Sequence, residues 1–259
     1  MRFKRTIRAF AIVAASAVHA LSISAQCAKD SPPRTAALVE LYTSEGCDSC
    51  PPADQWFSRL GREVAATGDA VLLALHVDYW DRLGWPDRFA SPDYGERQRS
   101  LVRHGGSGVV YTPGVFLNQS EFRGWNSPAS LRRSLGEVNA KPARAGIRLE
   151  IDPVLQSRIA VRARFTLTPG VRNPQAFVAL YENGLSTEVK AGENRGVLLK
   201  HDHVVRELAG PVNPSTEFVR AFELGNGWKP GNLGVAAFVQ DSFTGEILQA
   251  ISLGNCTKG

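Results

Sequence analysis

Apolar positions change texture part-way along the chain. Over 36–43 they alternate loosely and predict a buried strand. Over 71–77 they run almost unbroken, as in a central strand covered on both faces. Between these, Trp56, Phe57, Leu60 and Val64 recur at helical spacing, behind Pro51 and Pro52 at a first helical turn that tolerates a missing N–H. A second helix is predicted over 92–103, with Arg97, Arg99 and Arg103 on its solvated side. Strands over 109–117 and 121–125 flank a turn at Asn118, and Ser127-Pro128 caps a last helix reaching Val138. This order is α/β, with the first two strands parallel.

From Ala145 the period becomes two. Segments 147–151 and 159–165 alternate, 176–181 is more evenly apolar, and 218–222 is interrupted by Arg220. Segments 235–239 and 247–251 complete a set of strands separated by turns such as Asn183-Gly184 and Thr244-Gly245, which predicts a β-sandwich. The expected organisation is a leader over 1–25, an α/β domain over 26–142 and a β-sandwich domain over 143–259.

The leader reads as a secretory signal peptide. Arg2, Lys4, Arg5 and Arg8 precede an apolar run from Phe10 to Ile23, and small residues around 20–25 offer cleavage sites. An uncleaved anchor is the alternative, although Ser16, His19 and Ser22 interrupt a run already short for about 30 Å of hydrocarbon. Gln26 before Cys27 speaks against lipidation. Cleavage after Ala25 lowers the formal charge from +5 to +1, so the basic balance belongs largely to the leader and does not argue for nucleic acid. The expected location is periplasmic or secreted, with no stable membrane span after cleavage.

Export changes the meaning of the four cysteines, because an oxidising compartment permits disulfides. Cys47 and Cys50 form a CxxC where a strand meets a helix, and the helix dipole there favours a thiolate on the first cysteine. Cys47 would be the more exposed nucleophile and Cys50 the resolving thiol. Asp48 beside Cys47 would oppose the dipole and raise the thiol pKa. Cys27 and Cys256 remain, either as a structural disulfide joining the two chain ends or with Cys27 free in a frayed terminus. A structural disulfide is the plain alternative for the CxxC, and no second CxxC is present to complete a zinc site.

Strand, CxxC, helix and a later strand preceded by Thr112-Pro113 resemble the thioredoxin-like pattern. That resemblance implies a cis Pro113 opposite the CxxC, a Thr112-Pro113 loop that binds substrate, and Glu40 as proton acceptor beneath the cysteines; a surface Glu40 is the alternative. More closely, the chain resembles the exported DUF1223 family, of unknown function. The matching stretches are Glu40-Leu41-Tyr42-Thr43-Ser44-Glu45-Gly46-Cys47 with Cys50-Pro51-Pro52-Ala53-Asp54, and His76-Val77-Asp78-Tyr79-Trp80-Asp81 with Leu83-Gly84-Trp85. Tyr111-Thr112-Pro113, Gly192-Glu193-Asn194-Arg195-Gly196 and His201-Asp202-His203-Val204-Val205-Arg206 also match.

The reading is therefore a thioredoxin-like α/β domain followed by an immunoglobulin-like β-sandwich. Its expected activity is thiol–disulfide exchange on exported protein or thiol substrates, carried by Cys47, Cys50, Pro113 and Glu40. Thr112, Trp80 and Trp85 are candidate substrate contacts, and no cofactor is implied. The alternative is a binding module: a protein-binding domain with an inert disulfide, or a Cu(I) carrier using Cys47, Cys50 and His76. His201 and His203 read as a polar interdomain contact rather than a metal pair, and Gly192 to Gly196 is no phosphate loop.

Overall fold

The computed structural model describes residues 27–65, 67–105 and 108–254. Strands β2 (Ala37–Thr43) and β3 (Ala70–His76) are buried along their whole length and pair in parallel, from Ala37 against Ala70 to Thr43 against His76. Helix α1 (Pro51–Val64) connects them. A 3-10 turn (Asp78–Leu83) and α2 (Pro92–Gly105) follow, then β4 (Gly114–Leu117), antiparallel to β2, the short β5 (Ser120–Glu121) and α3 (Pro128–Asn139).

The rest of the chain is strand: β6 (Ala145–Ile151), β7 (Arg158–Leu167), β8 (Pro174–Glu182), β9 (Leu185–Glu188), β10 (Leu198–His201), β11 (Val204–Val212), β12 (Phe218–Glu223), β13 (Leu233–Asp241) and β14 (Ile247–Gly254). The N-terminal β1 (Cys27–Asp30) pairs with β6.

The strands overturn the expected fold class. In place of a thioredoxin-like α/β domain followed by an immunoglobulin-like sandwich, the chain is mostly strand, and its two halves share one eight-stranded sheet ordered β14-β13-β8-β11-β3-β2-β4-β5. The junction is β3, which pairs in parallel with β11 through Ala74 and Val204, while the Ala74 N–H donates to the His203 carbonyl. A second sheet, β1-β6-β7-β12, lies against one face. The physical reason is the edge of β3. A fully buried central strand must be paired on both sides, and β11 from the distant half pairs its second edge.

Three apolar clusters surround the large sheet. Ile147, Leu149 and Val161 of the second sheet meet Val178, Leu180 and Val235. At the other end, Phe57 and Leu60 of α1 and Leu131 of α3 pack on Val39, Leu41 and Leu72. Helix α2 covers the remaining face through Tyr94, Leu101 and Val102, against Leu38, Tyr42 and Leu73. Arg97 of α2 departs from its expected solvated position: its side chain, 9% exposed, turns into this face and pairs with Glu40.

Among the described residues no helix is long and apolar enough to cross a membrane. The leader over 1–25 and Cys256 lie outside the described residues, and with Cys256 so does its expected pairing with Cys27.

Candidate functional site

After β2 the chain turns through Ser44, Glu45 and Gly46 into the cysteine pair. The Gly46 N–H donates to Ser44 Oγ at 3.1 Å, and the Cys47 N–H to the Ser44 carbonyl at 3.2 Å. Cys47 and Cys50 are joined as a disulfide. Cys50 caps α1 with helical backbone angles, and its carbonyl accepts from the N–H groups of Ala53 and Asp54 at 2.9 and 3.1 Å. Pro51 and Pro52 open the helix, where no N–H is needed.

Cys47 does not occupy the more exposed position expected of it. Both cysteines have 0% exposure, and only Asp48 and Ser49 between them face solvent. The backbone of this turn is bonded by the distant half of the chain, through the loop joining β9 to β10. Asn194 donates its side-chain amide to the carbonyls of Glu45 and Cys47, both at 2.9 Å, and the Glu193 carboxylate accepts from the Asp48 N–H at 3.2 Å. Gly192 gives this loop its close approach. Its φ is +72°, and a Cβ there would stand 3.1 Å from Trp85 Cβ.

The aromatic segment encloses the turn from another side. Trp80 Nε1 donates to Thr112 Oγ1 at 2.7 Å, and a Cβ on Gly46 would lie 3.4 Å from Trp80 Cβ. Trp85 Nε1 donates to Glu45 Oε2 at 2.9 Å. The Thr112–Pro113 bond is cis, and Tyr42 opposes Gly114 in the β2–β4 ladder, so Pro113 stands at the end of the sheet from which the cysteine turn leaves. Trp80, Trp85, Thr112 and Pro113 are thus gathered at one end with Cys47 and Cys50.

Glu40 is not among them. Its neighbours Val39 and Leu41 face α1, whereas Glu40 and Tyr42 face α2. Arg97 grips the Glu40 carboxylate at 2.6 Å through Nε and 3.0 Å through Nη2. The Tyr42 hydroxyl adds a bond at 3.2 Å, and the guanidinium also lies over the rings of Phe177 and Phe238. Burial, together with the Glu40 charge, holds the Tyr42 hydroxyl well above its ordinary pKa. Glu40 is therefore half of a buried ion pair on the face away from the disulfide, which corrects its expected place beneath the cysteines.

On the α1 face lies a buried cluster of Glu45, Asp54, His76, Asp87 and His201. His76 ends β3, and its Nδ1 stands 2.6 Å from Asp87 Oδ2, which also accepts from the Glu45 N–H at 2.8 Å. His201 ends β10, with Nε2 3.5 Å from Glu45 Oε1 and Nδ1 3.8 Å from Asp54 Oδ2. The two imidazole rings are 4.9 Å apart and nearly perpendicular, with Phe89 edge-on to both.

Burial and charge pull against each other in this cluster. For Asp87 burial opposes ionisation, but His76 and the backbone N–H groups outweigh it and hold the carboxyl down at about 2. For His76 burial disfavours the cation, and Asp87 prevails to raise its pKa. Glu45 is likewise lowered against its burial, chiefly by His201. Asp54 goes the other way: its burial outweighs His201 and His76, and its pKa is raised. His76 Nε2 and both His201 nitrogens have no hydrogen-bond partner.

His203, beyond the turn, is separate from this cluster. It packs against Gly61 of α1 and the ring of Phe57, and burial lowers its pKa to about 4. Among the described residues no three His, Cys, Asp or Glu side chains are grouped to hold a metal.

Residues 38–240 match the profile of a family described as protein of unknown function (DUF1223). The chain belongs to this family. A search of curated proteins gave no match. Among solved structures, this DUF1223 chain is similar to protein AGR_C_4864 from Agrobacterium tumefaciens, at 24% identity and a TM-score of 0.61, over 86% of this chain and 96% of that one. It is also similar to HBP35 of Porphyromonas gingivalis, at 13% identity and a TM-score of 0.62, over 88% of this chain and 77% of that one. These likenesses concern the fold.

Several residues of the DUF1223 site were not singled out from the sequence. Asp54 had a signal, since it follows Cys50 by one helical turn, and Glu45 stands two residues before Cys47. Asn194 stands inside the quoted stretch Gly192 to Gly196 with nothing there to mark its role, and Asp87 had no signal beyond following Trp85 by two residues. It is their tertiary position that brings them to the cysteine turn.

Proposed function

We propose that this protein carries out thiol–disulfide exchange on extracytoplasmic proteins through Cys47 and Cys50. The observation that carries the reading is the closed disulfide at the N-terminus of α1, at the end of the sheet where Trp80, Trp85, Thr112 and Pro113 also stand. A substrate thiolate attacks Cys47, Cys50 leaves, and the N-terminal N–H groups of α1 favour negative charge on the sulfurs. The aromatic residues and the Thr112-Pro113 loop form the wall against which an extended substrate rests. Because both sulfurs are buried, exchange requires the loop carrying Asn194 to lift from the turn. The basic and apolar leader supports export to the periplasm or beyond, where exchange partners are oxidised.

Complete burial of the pair favours a second reading, a structural disulfide in a protein-binding module. Redox titration of the mature protein with thiol trapping separates the two. Reversible opening between about −120 and −270 mV, the span of known exchange catalysts, supports exchange; resistance below about −300 mV supports the structural reading.

A further inference from the structure

Exchange at this pair leaves a proton to be placed. When Cys47 is attacked, Cys50 departs as a thiolate in a position with 0% exposure. An anion there has no water to solvate it and is costly until it is protonated or paired. Glu40 does not serve, because it faces α2 and is held by Arg97.

We infer that Asp54, one helical turn beyond Cys50 and set against His201, gives the Cys50 thiolate its proton and takes it back when the disulfide re-forms. The inference rests on the exchange reading proposed above. Two geometric facts support it. Cys50 has helical backbone angles and its carbonyl accepts from the Asp54 N–H at 3.1 Å, so both side chains project from the same face, with Cβ atoms about 5–6 Å apart as in any i, i+4 pair. Moreover, the buried His201 has no hydrogen-bond partner on either nitrogen, and its Nδ1 is 3.8 Å from Asp54 Oδ2. An imidazole set between the carboxyls of Glu45 and Asp54 is placed to pair with the charge that Asp54 acquires when it gives up its proton. The charged groups facing Asp54 are His201 from β10, His76 from β3 and Asp87 from the loop before α2, with Glu45 across His201.

The step balances as follows. A substrate thiolate bonds to Cys47 Sγ, the Cys47–Cys50 bond breaks, and its electron pair stays on Cys50 Sγ. The Asp54 carboxyl transfers its proton to that sulfur and becomes a carboxylate. The second substrate thiol, as thiolate, attacks the mixed disulfide, and the substrate leaves with its own disulfide while Cys47 keeps the electron pair. The two protons released by the substrate thiols restore Asp54 and protonate Cys47. Two electrons and two protons have passed from substrate to protein. Burial keeps the Asp54 carboxyl protonated to higher pH than a surface carboxyl, which suits it to donate.

The test follows opening of the disulfide by dithiothreitol in the mature protein between pH 5 and 9, with rates corrected for the thiolate fraction of the reagent. The wild-type rate is expected to fall about tenfold as Asp54 ionises. Asp54→Asn should lose that titration and run about tenfold slower at the acid end. His201→Gln, which removes the group that draws the Asp54 carboxyl down, should move the midpoint to higher pH. An Asp54→Asn protein with the wild-type profile, or a His201→Gln protein with an unmoved midpoint, overturns the inference while leaving exchange intact. If the folded wild type never opens, the exchange reading falls and takes this inference with it.

Discussion

The side-chain amide of Asn194 lies 2.9 Å from the carbonyl oxygen of Cys47, a bond between residues on opposite sides of the β3–β11 junction. It ties the cover of the disulfide to the backbone of the residue it conceals. Asn194→Ala removes this bond and its companion to Glu45, leaving two buried carbonyls without that donor. At about 1 kcal/mol per bond, the loop should open more often, and reduction by a small thiol should accelerate about tenfold or more. Stopped-flow reduction with thiol trapping measures this; an unchanged rate would mean that another element controls access.

Glu40→Gln addresses the other face of β2. It leaves the Arg97 guanidinium buried without its counter-ion, and breaking such a pair costs about 3–5 kcal/mol. We expect a large fall in the urea midpoint. In the same variant, held below its unfolding transition, the Cys47–Cys50 potential should stay at the wild-type value. A shifted potential would restore the direct role that the sequence suggested.

His76, Asp87 and Asp54 make stability depend on pH in a defined sense. Asp87 has a folded pKa of about 2, below its unfolded value, so its contribution is present above the unfolded pKa and is lost as pH falls towards 2. The contribution is on the order of 2 kcal/mol. His76 has a raised folded pKa, so its contribution is complete below the unfolded value and is lost as pH rises through the folded one. Asp54, also raised, binds its proton more tightly when folded and weakens stability as pH climbs from its unfolded pKa to its folded one. Urea unfolding at a series of pH values should show the acid limb shrink in Asp87→Asn and the neutral limb shrink in His76→Gln. A limb that survives its own substitution contradicts the assignment.

Gly61→Ala tests how closely β10 and β11 are held to α1. In an open helix this change adds about 0.5–1 kcal/mol of stability. Here the new Cβ would stand 2.1 Å from His203 Nε2, whose ring is confined by Phe57 and Tyr181. Overpacking of this kind costs about 1–3 kcal/mol and should decide the sign. Thermal unfolding is expected to shift downward; an upward shift would show that the His203 ring can move aside.

The parts of the fold legible in the sequence are those written in short-range periodicity. The unbroken run over 71–77 became β3, Pro51 and Pro52 opened α1, and the alternating segments after Ala145 became strands. Strand β11 was missed because Arg206, Glu207, Gly210 and Pro211 break its apolar pattern, and with it went the one pairing that unites the large sheet. The aromatic residues and Thr112 were legible as a group beside the cysteines. Glu40 misled because alternation tells which residues share a face of a strand, whereas the position of α1 and α2 decides which face meets the disulfide. Asn194 and Asp87 act through contacts made across long stretches of chain, on which local pattern is silent.

The cover over the cysteine pair also imposes an order of events on a growing chain. On the export reading, residues 37–76 enter the oxidising compartment ahead of Asn194, so Cys47 and Cys50 can meet an oxidant there before the loop bonded to their turn is in place. Oxidation during that interval meets an open pair. Once β11 joins β3, the loop ahead of β10 closes over the turn, and a thiol pair that was briefly public becomes private to the finished molecule.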